Sequence, residues 1–190
     1  MKESDSCQSS PIIEIAPNGD IIFAVGPEMA RIHVNSQLLK TASKHFFVML
    51  GKEAHNMLFK YGPVELPLPE DNAAALKIIF AIIHKQSYLV PRFLTPNEIL
   101  EVAIAVEKYD LVNIMQLWSG IWRQPGLLFV EDLIVLAAAA YLFQNAQGFK
   151  GITKALILKH KGSYLSLLSD KVESTLTWKV YWKNSEALSG

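Results

Sequence analysis

The chain has 190 residues, 51% hydrophobic and 19% charged, with Lys+Arg and Asp+Glu both at 18. That length suits one domain, or one domain with an appendage, and the apolar fraction supports a sizeable core. A formal net charge of zero argues against a global attraction to nucleic acid or an anionic membrane, and it removes the repulsion that keeps copies apart.

The one cysteine, Cys7, allows no internal disulfide and no Cys-based zinc site, and it points to a reducing intracellular compartment. Residues 1–11 are small and polar, read as disordered, and lack the apolar run of a signal peptide. The most apolar window, Leu133 to Phe143, is far short of the roughly 20 residues a membrane span needs, so a buried helix is expected there.

Taken in order, Ile12 to Ile15 can form a short strand. Asn18-Gly19 then suits a two-residue hairpin turn, because both central positions need positive φ. Ile21 to Val25 is a β-rich run expected to be central, and Gly26-Pro27 breaks it. Met29 to Val34 alternates, with Ala30, Ile32 and Val34 on one face. The expectation is a small antiparallel sheet.

Ser36 to Lys40 fits one or two helical turns. Ser43 can cap a second short helix, with Phe46, Phe47, Met49 and Leu50 at helical spacing and Gly51 ending it. Residues 52–62 read as a mobile loop. Val64, Leu66 and Leu68 alternate as a strand, and Pro67, which cannot donate to a ladder, places it at an edge or makes it short. Asp71 or Asn72 caps the next helix, which runs to about His84. Only Lys77, Ala81, His84 and Lys85 interrupt its apolar surface, so it is mostly buried.

The sharpest local signal is Leu94-Thr95-Pro96-Asn97-Glu98-Ile99. Thr95 can accept from the N–H groups that open a helix, and Pro96 sits where its missing N–H costs nothing. Glu98 can reach back to close a capping box, with Leu94 and Ile99 as a hydrophobic staple. Asp110 is the expected cap of a following helix, whose face is Ile114, Leu117, Trp118, Ile121 and Trp122. Pro125-Gly126 is the candidate boundary. Glu131 and Asp132 suit the first turn of a further helix. Phe149, Ile152 and Leu156 mark another, ending on Lys159, His160 and Lys161 before Gly162. Residues 169–190 carry Trp178, Tyr181 and Trp182, as a docked helix or a tail that orders on a partner.

No catalytic constellation emerges. His33 is the tempting candidate, but its plain role is a hydrogen-bonded histidine fixing the hairpin. The five histidines show no short metal-binding spacing on a helix. Glu98 is a cap, and Glu101 and Glu107 a solvated face. No serine lies in a Gly-x-Ser-x-Gly elbow, and no Gly-rich phosphate loop is present. Trp118 and Trp122 suit a core, and Lys159 to Lys161 answer the helix dipole rather than DNA.

The order strand hairpin, two short helices, edge strand and then three helices resembles the BTB/POZ domain over about residues 12–124. The stretches that carry the resemblance are Gly19-Asp20-Ile21-Ile22-Phe23-Ala24-Val25, Ile32-His33-Val34-Asn35-Ser36-Gln37-Leu38-Leu39 and Ala42-Ser43-Lys44-His45-Phe46-Phe47-Val48-Met49-Leu50. Val64-Glu65-Leu66-Pro67-Leu68-Pro69-Glu70-Asp71 and Glu107-Lys108-Tyr109-Asp110 follow. The Leu-Pro-Leu-Pro-Glu-Asp wording and the helical stretch from Leu133 to Leu168 look most like members from filamentous fungi.

The resemblance implies an α+β fold, a small sheet flanked by a helical cluster, with a helical extension at 125–168. It implies a non-catalytic protein–protein interaction module without cofactor or metal, whose partners are a second copy of itself, as a homodimer, or other proteins. Family dimers meet through the first short helix and the N-terminal strand. Here these supply Ile12, Ile13, Ile15, Ser36, Leu38 and Leu39, with Asp20 matching the acidic member of a charged pair. Val34 stands where the basic member belongs, a departure from that pattern. Some members serve as substrate adaptors on cullin-type ubiquitin ligases through an apolar-x-Glu motif. Ala54-His55-Asn56 aligns there without the glutamate, which argues against that role. These three residues, with Trp178, Tyr181 and Trp182, are the candidates for partner docking. An enzyme with an unrecognised site is the rival from another class.

Overall fold

The computed structural model describes residues 11–51, 63–121, 129–160 and Val172. The expectations for 1–10, the 52–62 loop with Ala54, His55 and Asn56, Trp122, Pro125-Gly126, Lys161 and Gly162 with the rest of the extension to 168, and the 169–190 tail with its three aromatics, Val172 apart, lie outside the described residues. The chain forms two compact units, Met1–Val90 and Pro91–Gly190. The division falls within the stretch that the resemblance assigns to one domain. Architecture is mixed α+β, as expected.

The first unit holds strands β1 (Ile13–Glu14), β2 (Ile21–Val25), β3 (Ala30–Val34) and β4 (Val64–Leu68). Its helices are α1 (Ser36–Ala42), α2 (Lys44–Met49) and α3 (Ala73–Ile83). The sheet order is β1-β3-β2-β4. Only β2 and β3 run antiparallel; β1 lies parallel to β3 and β4 parallel to β2. The expected antiparallel sheet is therefore corrected to a mixed one.

The hairpin expected at Asn18-Gly19 does not form, and neither residue takes positive φ. The chain leaves β1 with the Ile15 and Ala16 N–H groups both donating to the His33 carbonyl at 3.1 Å. It then steps over the end of β3, where the Asp20 N–H donates to the Val34 carbonyl. A Cβ at Gly19 would run into the Val34 carbonyl and meet the Ala16 oxygen at 2.9 Å. Glycine is needed there for close backbone approach, not for turn handedness. The true hairpin joins β2 to β3 through Gly26 and Met29, both at positive φ.

Every residue of β2 is buried, because β2 has a strand on each side and a face packed on helices. Phe23 stacks on Phe80 of α3 at 5.4 Å between centroids, and Phe46 of α2 closes the triad at 6.1 and 5.9 Å. All three are fully buried. Strand β4 sits at the edge. Its Val64 N–H and Leu68 carbonyl bond toward β2, so the period of two turns Pro67 outward, where a missing donor costs nothing. On the sheet face away from the triad, Arg31 reaches across β2 to Glu65 through two hydrogen bonds of 3.0 and 3.2 Å. Asn72 caps α3 by accepting from the Ala75 N–H at 3.0 Å. Ala81, expected on its polar stripe, is buried.

The second unit contains α4 (Pro96–Lys108), α5 (Val112–Ile121), α6 (Val130–Leu142) and α7 (Ala146–Lys159). Helix α6 packs against both α4 and α7, which is why Ala137 to Ala140 are buried all round it. The Asp132 carboxylate accepts from the Phe129 N–H at its start. In α5 Val112 and Met115 are buried, with Leu111 just before, and Ile114 and Trp118 are half-buried; the side chains of Leu117 and Ile121, expected on the same face, lie outside the described residues.

Asp110 does not open α5. It ends α4 at φ 52, in a Schellman turn where the Leu111 N–H donates to the Val106 carbonyl and the Asp110 N–H to Glu107. Lys85 after α3 and Gln144 after α6 do the same, at φ 59 and 53. None is the glycine that this position favours.

Candidate interaction surface

The start of α1 is held from three directions. Asn35 is its cap, with the side-chain oxygen accepting from the Leu38 N–H at 3.1 Å. The Ser36 N–H and hydroxyl both donate to the Asp20 carboxylate at 2.6 Å, so Asp20 delivers negative charge to the positive end of the helix. The Asn35 N–H donates to His84 Nε2 at 2.9 Å, while His84 Nδ1 faces the Phe80 carbonyl at 2.8 Å. Burial lowers the His84 pKa, against the opposing pull of the Phe80 carbonyl. Asp20, matched to the acidic member of a charged pair, is engaged by Ser36 within its own unit.

The eight residues assigned to a dimer face divide by burial. Leu39 and Val34 are fully buried, and Ile15 and Ser36 nearly so. They belong to the core and its polar lining, and in the folded unit they have no surface to offer. Leu38 at 44% and Ile12 at 43% are exposed, and Ile13 and Asp20 are half-buried. Adjacent leucines differ because α1 turns about 100° per residue, and Leu39 points inward. Beside Leu38 lies an open depression of about 500 Å3, bounded by Ile15 to Asn18, the start of α1, and His84 with Gln86.

The α2 helix carries exposed apolar side chains. Phe47 and Val48 are 64% and 78% exposed, although Phe47 was expected inside. Ser43 fixes the frame by accepting from the Phe46 N–H at 3.2 Å, and Phe46 and Leu50, four apart, take the buried stripe. A six-residue helix buries one stripe only, so four neighbouring large apolar residues could not all be inside. That limit was the available signal. In the second unit Ile157 and Leu158 of α7 are also exposed.

The residues weighed for chemistry are dispersed. His33 fixes the β1 turn through its carbonyl. Its Nε2 is buried without a hydrogen-bond partner among the described residues, so the expected hydrogen-bonded imidazole is not seen at that atom. Glu98 is the capping residue expected. Its carboxylate accepts from the Thr95 N–H at 2.7 Å and from the Thr95 hydroxyl at 2.8 Å, which lowers its pKa. Among the described residues no three His, Cys, Asp or Glu side chains gather as a metal site. No helix among them is long and apolar enough to cross a membrane. No protein-family model matches the sequence, and no curated protein matches it.

Proposed function

We propose that the chain is a protein–protein interaction module of BTB/POZ type, acting inside the cell by homo-oligomerisation or partner docking, with no catalysis of its own. The observation that carries this is Leu38. It is a large apolar side chain exposed beside a depression, on a helix whose start is capped by Asn35 and bonded to Asp20 and His84 elsewhere in its unit. An apolar group held on a rigid support loses little freedom on binding, which favours its use as a contact. Ile12 adds exposed apolar surface at the strand edge. The mixed α+β architecture and the order of strands and short helices in the first unit support the same reading.

The test is molar mass by light scattering across a range of concentrations, with Leu38→Asp as the variant. The native chain is expected near twice its 21.2 kDa. The variant should keep its unfolding midpoint and associate at least about tenfold more weakly, equivalent to about 1.4 kcal/mol. A folded variant that associates as the native chain does would remove Leu38 from the interface. A native monomer at every concentration would remove self-assembly in favour of another partner. Phe47 and Val48 favour a second reading, the adaptor role, in which that face of α2 docks a cullin. Binding to a cullin N-terminal region, abolished by Val48→Asp, would select it.

A further inference from the structure

Asn35 begins α1, and its backbone N–H is one that no helical turn can satisfy. His84, at the end of α3, satisfies it through Nε2 at 2.9 Å. A backbone N–H only donates, so Nε2 must be without a proton. The ring proton then sits on Nδ1, where the Phe80 carbonyl accepts it at 2.8 Å. Both ring nitrogens are committed, and one tautomer of the neutral ring fits. A second proton, on Nε2, would set two donors against each other.

We propose that His84 is a proton-operated latch that holds the start of α1 to the end of α3 when neutral and releases Asn35 when charged. Among the described residues no carboxylate is in direct contact with it to offset the added charge. The depression beside it is lined from the β1 side by Ile15 to Asn18, from α1 by Asn35, Gln37 and Leu38, and from beyond α3 by Gln86. None of these side chains titrates. Strand β3 turns Ile32 and Val34 toward the helices, with Arg31 and His33 on the opposite face. Asp20, the carboxylate at the same helix start, is taken by Ser36.

Burial lowers the His84 pKa, so the latch is closed at neutral pH. The stability it contributes is complete above the ordinary imidazole value of about 6.5 and is lost as pH falls through the lowered value in the folded chain. If Leu38 carries the interface, as proposed above, acid weakens association as well. The latch itself does not depend on that.

The test is NMR on the full chain between pH 8 and 5, reading the His84 ring nitrogens and backbone amide exchange. At pH 8 the ring should be the Nδ1–H tautomer. As it titrates, protection at Asn35 should fall about tenfold relative to Phe23, the loss expected when a bond of this strength is broken. An Nε2–H tautomer at pH 8, or Asn35 protection that stays constant while His84 titrates, would overturn the latch. His84→Gln supplies a control, since its side-chain oxygen can accept from Asn35 without titrating. Its Asn35 protection should be flat with pH, and a persisting fall would assign the effect to another group.

Discussion

At the start of α4 the capping bonds are closed within four residues. At the start of α1 two of the three clamps come from Asp20 and His84, 16 and 49 positions away from their partners. Thr95 and Glu98 exchange bonds with each other's backbone, so their helix start is written into consecutive residues. The start of α1 exists as built only once β2, α3 and the turn over β3 are in place. A local cap stabilises one helix. A tertiary cap also fixes where the helix sits, and here it fixes where Leu38 is displayed.

The comparison breaks most visibly at Asp20. Asp20→Ala leaves the buried Ser36 with an N–H and a hydroxyl that have lost a charged acceptor. The expected loss is about 2–3 kcal/mol in urea unfolding, with amide protection reduced along α1. Thr95→Ala should cost less, about 1 kcal/mol, with exchange quickening only in the first turn of α4. A Thr95→Ala loss as large as that of Asp20→Ala would erase the distinction between the two starts. The Glu98 half of the box adds a pH signature: its contribution is present above about pH 4.3, its ordinary value, and fades as pH falls through its lowered pKa.

The smallest effect has the opposite sign and sharpens the comparison at the other helix ends. Gln144 occupies the left-handed position that closes α6. Gln144→Gly should stabilise by about 0.5–1 kcal/mol, because glycine adopts this conformation without steric cost. Thermal unfolding measures it, and a lower midpoint would show that the glutamine side chain contributes a contact worth more than the strain.

Legibility in the sequence followed the same division. The α4 capping box, the Ser43 cap, the buried alanine helix α6, the central β2 and the edge position of β4 were all readable, because each depends on neighbouring residues or on a simple period. The Schellman ends at Lys85, Asp110 and Gln144 escaped notice, since the expected glycine is absent. Asp110 was therefore assigned to the wrong helix.

The candidate surface was half legible. The stretch 36–40 was singled out, but period alone did not separate exposed Leu38 from buried Leu39, nor core Ile15 and Val34 from exposed Ile12. The bonds of its polar supports were not legible: Asp20, matched to the acidic member of a charged pair, is bound to Ser36, and His84, placed on a polar stripe, is bound to Asn35.

The sequence by itself determined which segments become helix or strand and where several of them begin, because those choices are settled by bonds spanning a few residues. Only the tertiary structure decided that β1 lies beside β3, that Gly19 is needed for close approach, and which leucine of α1 faces out. Those outcomes turn on which distant groups meet, and a residue's own neighbours in the chain carry no record of that.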